Sequence, residues 1–194
     1  MTVITGPTLR LRPVEIYDWP VFSLCYADWP RDAQGYYSNQ RAVRDCDVAV
    51  ARNRAVTEPL TADSDWQLTQ LVYTDALPSG IGLCRSRAVG TVVTVLNQAF
   101  IPSERGKGYM AELQSLLQKY AFDVLGATEA GYEIIPGAAG AKSHVNNRAK
   151  YESVGERDGH SGKLERGRIT RARWQEWVDA HPEEDEINRP ERRR

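Results

Sequence analysis

Cysteine and histidine are scarce in this chain: three of each in 194 residues, none at a spacing suited to a metal. Cys25, Cys46 and Cys84 lie far apart and odd in number. That argues against a disulfide framework and for reduced core thiols in a cytoplasmic protein. His144, His160 and His181 are as scattered, so no metal is expected. No apolar run approaches the roughly 18 residues a membrane span needs, and no charged-then-apolar secretory leader is present. Net charge is nearly absent too, at −1, which disfavours a surface that generally seeks polyanions. What the chain does have is 41% hydrophobic residues, enough to bury one core, expected over residues 1–181.

The most informative stretch is 100–113, Phe-Ile-Pro-Ser-Glu-Arg-Gly-Lys-Gly-Tyr-Met-Ala-Glu-Leu. An apolar, β-branched run over 91–96 leads into it, and a helix-period run leads out. Strand, glycine turn and helix together present a row of free backbone N–H groups to a phosphate. Gly106 and Gly108 permit close backbone approach, and Arg105 and Lys107 add charge an anion can use. Two phosphate motifs can be laid over these residues. Gly106, Gly108 and Ala111 meet the dinucleotide fingerprint G-x-G-x-x-G/A, with Glu129 or Glu133 as the ribose carboxylate. That fingerprint wants its first glycine at the strand end, whereas residues 102–105 intervene here, and too little regular chain follows for a doubly wound sheet.

The other overlay is R/Q-x-x-G-x-G/A, occupied by Arg105, Gly106, Lys107, Gly108, Tyr109 and Met110 after an Ile101-Pro102 junction. In this the segment resembles the acetyl-coenzyme A turn of the GNAT acyltransferases. Met110 stands where that family usually has Gly or Ala, which would bring a flexible side chain beside the pyrophosphate path. The resemblance extends to residues 148–155, Arg-Ala-Lys-Tyr-Glu-Ser-Val-Gly, similar to the family's Tyr-Glu-x-x-Gly-Phe ending, with Glu156 in place of Phe. On that match Tyr151 falls on a position where the family often keeps a tyrosine as general acid. A phenol, with a pKa of about 10, is protonated at neutral pH and can donate to a leaving thiolate. Packing beside the sheet is the other reading of Tyr151. The family's upstream cofactor-contacting Asn aligns on His144, with Asn146 and Asn147 nearby.

Alternation and periodicity supply the elements. Residues 8–14 read as a strand, a helix is expected near 19–27, and 41–56 reads as a helix burying Val43, Val48, Ala49 and Val56. Strands follow over 66–73 and 81–87, with Pro78-Ser79-Gly80 as the turn between them. The central strand covers 91–100. The helix after the glycine turn carries Met110, Leu113, Leu116, Leu117, Tyr120 and Val124 as one apolar stripe and stops at Gly126. A buried strand is expected over 132–135, a loop over 136–141, a short helix over 146–153 and an exposed hairpin over 156–169. Thr170 can cap a last helix with Trp174, Trp177 and Val178. Residues 182–194 form a charged tail expected to be disordered.

This order is similar to the GNAT fold over roughly 8–180. The resemblance implies an α/β (α+β) architecture: a mixed, mostly antiparallel sheet of six to seven strands, splayed in the middle and flanked by helices. A closer similarity is to the branch that acetylates ribosomal-protein N-termini, through the Leu-Arg-Leu-Arg-Pro strand at 9–13 and the Trp-bearing close at 168–178.

The implied activity is direct transfer of an acetyl group from acetyl-coenzyme A, as co-substrate, to an amine on a small molecule or protein N-terminus. Strands splayed around Leu96 and Ile134 would grip the pantetheine arm, and a backbone N–H around 97–100 would stabilise the oxyanion. Glu133, on the strand beside the splay, is the candidate base, with His144 second. Cys84 has no visible base and reads as a buried thiol. Trp29, Tyr36 and Tyr37 are candidates for an acceptor pocket, and Asp28, Asp32, Asp45 and Asp47 for attracting a cationic amine. Two other readings stay open: a coenzyme A-binding module without catalysis, and a nucleic-acid-modifying member of the fold that uses the arginine tail. A homodimer is also left open.

Overall fold

The structure, a computed structural model, describes residues 3–27, 37–134, 151–159 and 162–180. Its described strands are β1 (Ile4–Thr5), β2 (Arg10–Pro13), β3 (Asp65–Thr74), β4 (Leu77–Val89), β5 (Val92–Phe100), β6 (Glu129–Ile134), β7 (Glu152–Gly159) and β8 (Gly162–Thr170). They form one sheet in the order β1-β2-β3-β4-β5-β6-β8-β7. All described neighbours pair antiparallel except β5 and β6. This is the mixed, mostly antiparallel sheet expected from the chain, with the two-residue β1 extending one edge.

Helices α1 (Trp19–Cys25) and α2 (Asn39–Asn53) cover one face, packing Phe22, Cys25, Ala42 and Cys46 against Leu71 and Leu83. The other face carries α3 (Tyr109–Lys119) and α4 (Arg171–Ala180), with Trp174 stacked on Phe122 at 6.3 Å. No described helix is long and apolar enough to cross a membrane.

Ser38 caps α2, its Oγ accepting from Arg41 N at 3.2 Å. The buried stripe of α2 is Ala42, Cys46, Ala49 and Asn53, while Val43 and Val48 face solvent, contrary to the sequence expectation. Asn53 decides that rotation. Its amide gives Nδ2 to Thr69 O and takes Thr69 N on Oδ1, both at 2.8 Å, as a neighbouring strand would.

The β3–β4 turn is Asp75-Ala76, closed by Leu77 N donating to Thr74 Oγ1 at 3.1 Å, so Pro78-Ser79-Gly80 lies within β4. Proline is tolerated there because register is broken between Thr74/Leu77 and Val72/Gly82.

The stripe of α3 also departs from a simple helix period. After Lys119 the helix widens into a π turn over Tyr120–Val124, with Leu125 N donating to Tyr120 O at 3.0 Å. The extra residue rotates the face, burying Ala121, Phe122 and Leu125 and leaving Val124 exposed. Gly126, at φ +71°, ends the helix as expected.

The late hairpin is exposed only in part. β8 enters the sheet beside β6 and buries Ile169, while β7 forms the solvent-facing edge. Glu152 and Ser153 belong to β7, correcting the end of the expected helix over 146–153; residues 146–150 lie outside those described. Thr170 caps α4 as expected, accepting from Arg173 N at 3.3 Å.

Truncating Asn53 to Ala would leave the buried Thr69 N–H unpaired, while Thr69 O keeps its bond from Val14 N at 3.1 Å. Asn53→Ala is expected to lose about 1–3 kcal/mol of stability, the cost of one orphaned buried donor, in a denaturant titration. A loss under about 1 kcal/mol would remove Asn53 as the clamp between α2 and the sheet.

Candidate active site

Two features of β5 create a cleft. First, β5 and β6 pair only from Val92/Glu129 to Val95/Tyr132, so residues 96–100 have no described strand neighbour on that side. Second, Arg85 faces Asn97 while Ser86 faces Val95, making Leu96 an extra, bulged residue. The bulge reverses side-chain alternation. Val93 and Val95 point toward α3, and beyond the bulge Gln98 and Phe100 take that face instead of Asn97 and Ala99.

The cleft so formed lies between β5, β6 and α3 and opens to solvent. Gln98, Gln114, Gln118, Tyr132 and Tyr151 line it over a floor of Val93, Val95 and Leu117. Both polar atoms of the Gln98 amide are buried with no hydrogen-bond partner among the described residues, as is Gln118 Oε1. Buried amides of this kind are costly, and their clustering marks a surface built to receive polar groups. Gln118 Nε2 donates to Tyr151 Oη, and the Tyr151 ring meets Tyr132 edge-on at 4.9 Å. Tyr151 therefore lies in the cleft and also packs beside the sheet.

The glycine turn stands at the end of β5. Gly106 and Gly108 have φ of +78° and +83°, and a Cβ on either would meet nothing within 4 Å. Backbone conformation, not crowding, calls for glycine here. Gly108 is the N-cap of α3. The N–H groups of Gly106, Lys107, Gly108 and Tyr109 have no acceptor among the described residues outside the helix itself. These donors and the positive end of α3 suit an anion.

The two cations of the turn are used differently from the sequence expectation. Arg105 Nε donates to Phe100 O at 2.9 Å and Nη2 to Cys25 O at 3.2 Å, tying the turn to β5 and α1. Lys107 Nζ donates to Glu104 Oε1 at 2.7 Å, and that hydrogen bond holds the ammonium above its usual pKa. The donors left open at the turn are thus chiefly backbone N–H groups. Met110 packs against the cluster of Leu9, Phe100 and Leu113, so its side chain turns into the core rather than across the turn. Phe100 contacts Tyr109 at 5.9 Å, and Ile101 packs toward α1.

Glu133 sits on the opposite face of β6 from Tyr132. Arg157 holds both its oxygens, Nε to Oε1 at 2.8 Å and Nη2 to Oε2 at 2.5 Å, and Arg166 approaches to 3.7 Å. The Arg157 hydrogen bond leads in holding its pKa below the usual carboxylate range, with Arg166 and Arg168 adding to it. That arrangement weakens Glu133 as a base. His144, Asn146 and Asn147 lie outside the described residues, as do Trp29, Tyr36, Asp28 and Asp32. Tyr37 is tied to Asp45, its Oη donating to Oδ2 at 2.9 Å, and packs on Tyr26 at 5.1 Å. Cys84 is fully buried, its pKa pushed up to about 12 by that burial, which suits a core thiol. Among the described residues no group of three or more His, Cys, Asp or Glu could hold a metal.

The amides of Gln98 and Gln118 were missed in the sequence. Gln114 and Gln118 show one signal, an i,i+4 polar pair flanking the apolar stripe of α3. Gln98 shows none, because only the Leu96 bulge brings it to the cleft.

No protein-family model and no curated protein matches the chain. Solved structures do. A GNAT-family acetyltransferase from Bacillus anthracis superposes with a TM-score of 0.67 at 13% identity, over 87% of this chain and 98% of that one. FdhC, a nucleotide-linked sugar GNAT, gives 0.70 at 15% over 93% and 97%. A spermidine N-acetyltransferase, SpeG, from Vibrio cholerae gives 0.62 at 15% over 87% and 96%. The chain has the fold of the GNAT acetyltransferases.

Since the folded chain keeps Glu133 ionised to lower pH than an unfolded one would, its stabilisation is complete at neutral pH and lost as acid titrates it. Glu133→Gln is expected to be less stable than the parent near pH 7, the gap closing below roughly pH 4. Urea unfolding at about pH 7, 4 and 3 checks this; a pH-independent gap would exclude the ion pair as its cause.

Proposed function

We propose that this chain is an acyl-coenzyme A-dependent N-acyltransferase that moves an acetyl group to an amine. One observation carries the reading: β5 and β6 part beside the N-terminus of α3, where two left-handed glycines leave the turn open. A pyrophosphate would be held by the N–H groups of 106–109, and the amides of a pantetheine arm by the unpaired side of β5 and by Gln98. Coenzyme A supplies the activated acyl group as a thioester.

In this proposal the chain's own groups do the rest. A backbone N–H of β5 beyond the bulge stabilises the oxyanion. Tyr151 is the general acid; the amide N–H of Gln118 occupies a lone pair of its Oη and helps orient the hydroxyl. Glu133, neutralised by Arg157, fixes the rim rather than taking the amine proton. Water or His144 takes that proton.

The finer reading, toward protein N-termini, rests on the Leu-Arg-Leu-Arg-Pro strand and the Trp-bearing close. The similar structures include a spermidine N-acetyltransferase and a nucleotide-linked sugar GNAT. An acceptor screen therefore spans peptides, polyamines and amino sugars.

Calorimetric titration with acetyl-coenzyme A should show saturable binding that Gly108→Asp loses, with none for NADH. No binding, or NADH binding instead, would overturn the proposal, and binding without turnover on the whole screen would favour a non-catalytic module. Tyr151→Phe is expected to lower turnover roughly tenfold or more, in the range of a general-acid contribution, with cofactor affinity unchanged. Unaltered turnover would remove Tyr151 from the mechanism.

A further inference from the structure

The face of the sheet opposite the α3 cleft is charged, and the charges do not balance. Strand alternation puts Arg85 on the side of Leu83, which packs under α1 and α2. Register continues that side across the sheet: Arg85 faces Asn97, and beyond the parting of β5 and β6, Glu133 faces Arg166. One row further in, Arg87, Thr94, Gly131, Arg168 and Glu152 lie in line across β4, β5, β6, β8 and β7, with Glu152 taken by Arg173 at 2.6 Å.

Within this surface Arg87 is matched by Asp65 at 3.0 Å. Arg157 and Arg166 share one carboxylate, Glu133. Among the described residues, Arg85 and Arg168 have no carboxylate within ion-pair distance.

Arg168 is held in place by design of the strands around it. Its Nη1 donates to Thr94 Oγ1 at 2.7 Å, two strands away. The guanidinium reaches there by crossing Gly131, where a Cβ would collide with Nη1 and with Gly167 O. Burial and then the nearby Arg166 lower its pKa from the usual value, while Glu129 and Glu133 pull it the other way. A half-buried guanidinium fixed by a neutral hydroxyl keeps its remaining donors for another acceptor.

We propose that Arg85 and Arg168 form an anion subsite at the acceptor side of the β5–β6 parting, and that the acceptor is an amine that also carries a phosphate or carboxylate group. This rests on the acyltransferase reading, which puts the cofactor in the α3 cleft and leaves this face to the acceptor. A polycationic amine suits the surface poorly, since like charges brought together cost affinity.

The test uses the full chain with saturating coenzyme A and three amine pairs that differ in charge. They are ethanolamine and O-phosphoethanolamine, glycinamide and glycine, and glucosamine and glucosamine 6-phosphate, with spermidine as the cationic control. Calorimetry should find an anionic member bound at least tenfold more tightly than its partner in one pair or more. Arg85→Gln and Arg168→Gln should each abolish that preference without changing coenzyme A affinity, and with acetyl-coenzyme A should raise KM for the anionic amine while sparing kcat. Because Arg168 also bridges strands, Arg85→Gln is the control for fold.

No preference in any pair, or a preference that survives both variants, would overturn the subsite. So would variants that weaken coenzyme A itself, since the cluster would then serve the cofactor. Spermidine or neutral amines acetylated as well as anionic ones would sink the subsite and leave the acyltransferase standing. A wild-type chain that fails to bind coenzyme A would overturn the acyltransferase reading and the subsite with it.

Discussion

β5 and β6 run parallel because α3 carries the chain over one face between them, and their pairing stops after Val95 and Tyr132. A parallel pair amid antiparallel neighbours has a different hydrogen-bond geometry on each side of β5. The bulge at Leu96 adds a kink on the β4 side just where the β6 side lets go. Among the described strands, β5 beyond that point pairs with β4 alone. Its far edge presents backbone groups that no described strand satisfies, and such groups call for a partner. The cleft, the reorientation of Gln98 and the opening on the opposite face all follow from this one interruption.

The two faces of the interruption differ in kind. Toward α3 the polar groups are amides and phenols, neutral hydrogen-bonding partners set over an apolar floor. Toward α1 and α2 they are guanidinium groups, two of which share Glu133 while a third is held by Thr94. Neutral donors and acceptors in a buried cleft suit an amide-bearing arm that must enter and leave without a large desolvation cost. Fixed cations at a wetter rim attract and orient an anion without needing full burial. The division keeps the charged groups away from the place where Gln118 and Tyr151 meet.

Much of the fold could be read along the chain because its signals are local. Residues 105–110 announce a turn and a helix start, since glycine at a left-handed position has few substitutes. Thr170 before an apolar-periodic run announces a capped helix, and it caps one. The misreadings share another origin. Val43 and Val48 read as core by composition, yet the side-chain bonds of Asn53 to β3 rotate α2 away from them. Val124 follows the helical period, but one π turn shifts the frame by a residue. Pro78-Ser79-Gly80 has turn chemistry and instead sits in an irregular stretch of β4.

What the sequence by itself determined is the run of strands and helices and the position of the glycine turn, because these depend on neighbours within a few residues. Tertiary structure alone decided which side chains gather around the parting of β5 and β6. Gln98 enters the cleft through a bulge defined by pairing with β4. Glu133 is drawn to Arg157 across the late hairpin, and Arg168 crosses Gly131 to reach Thr94, 74 positions away in the chain. Contacts of that span are set by strand order and register, which no local pattern of residues encodes.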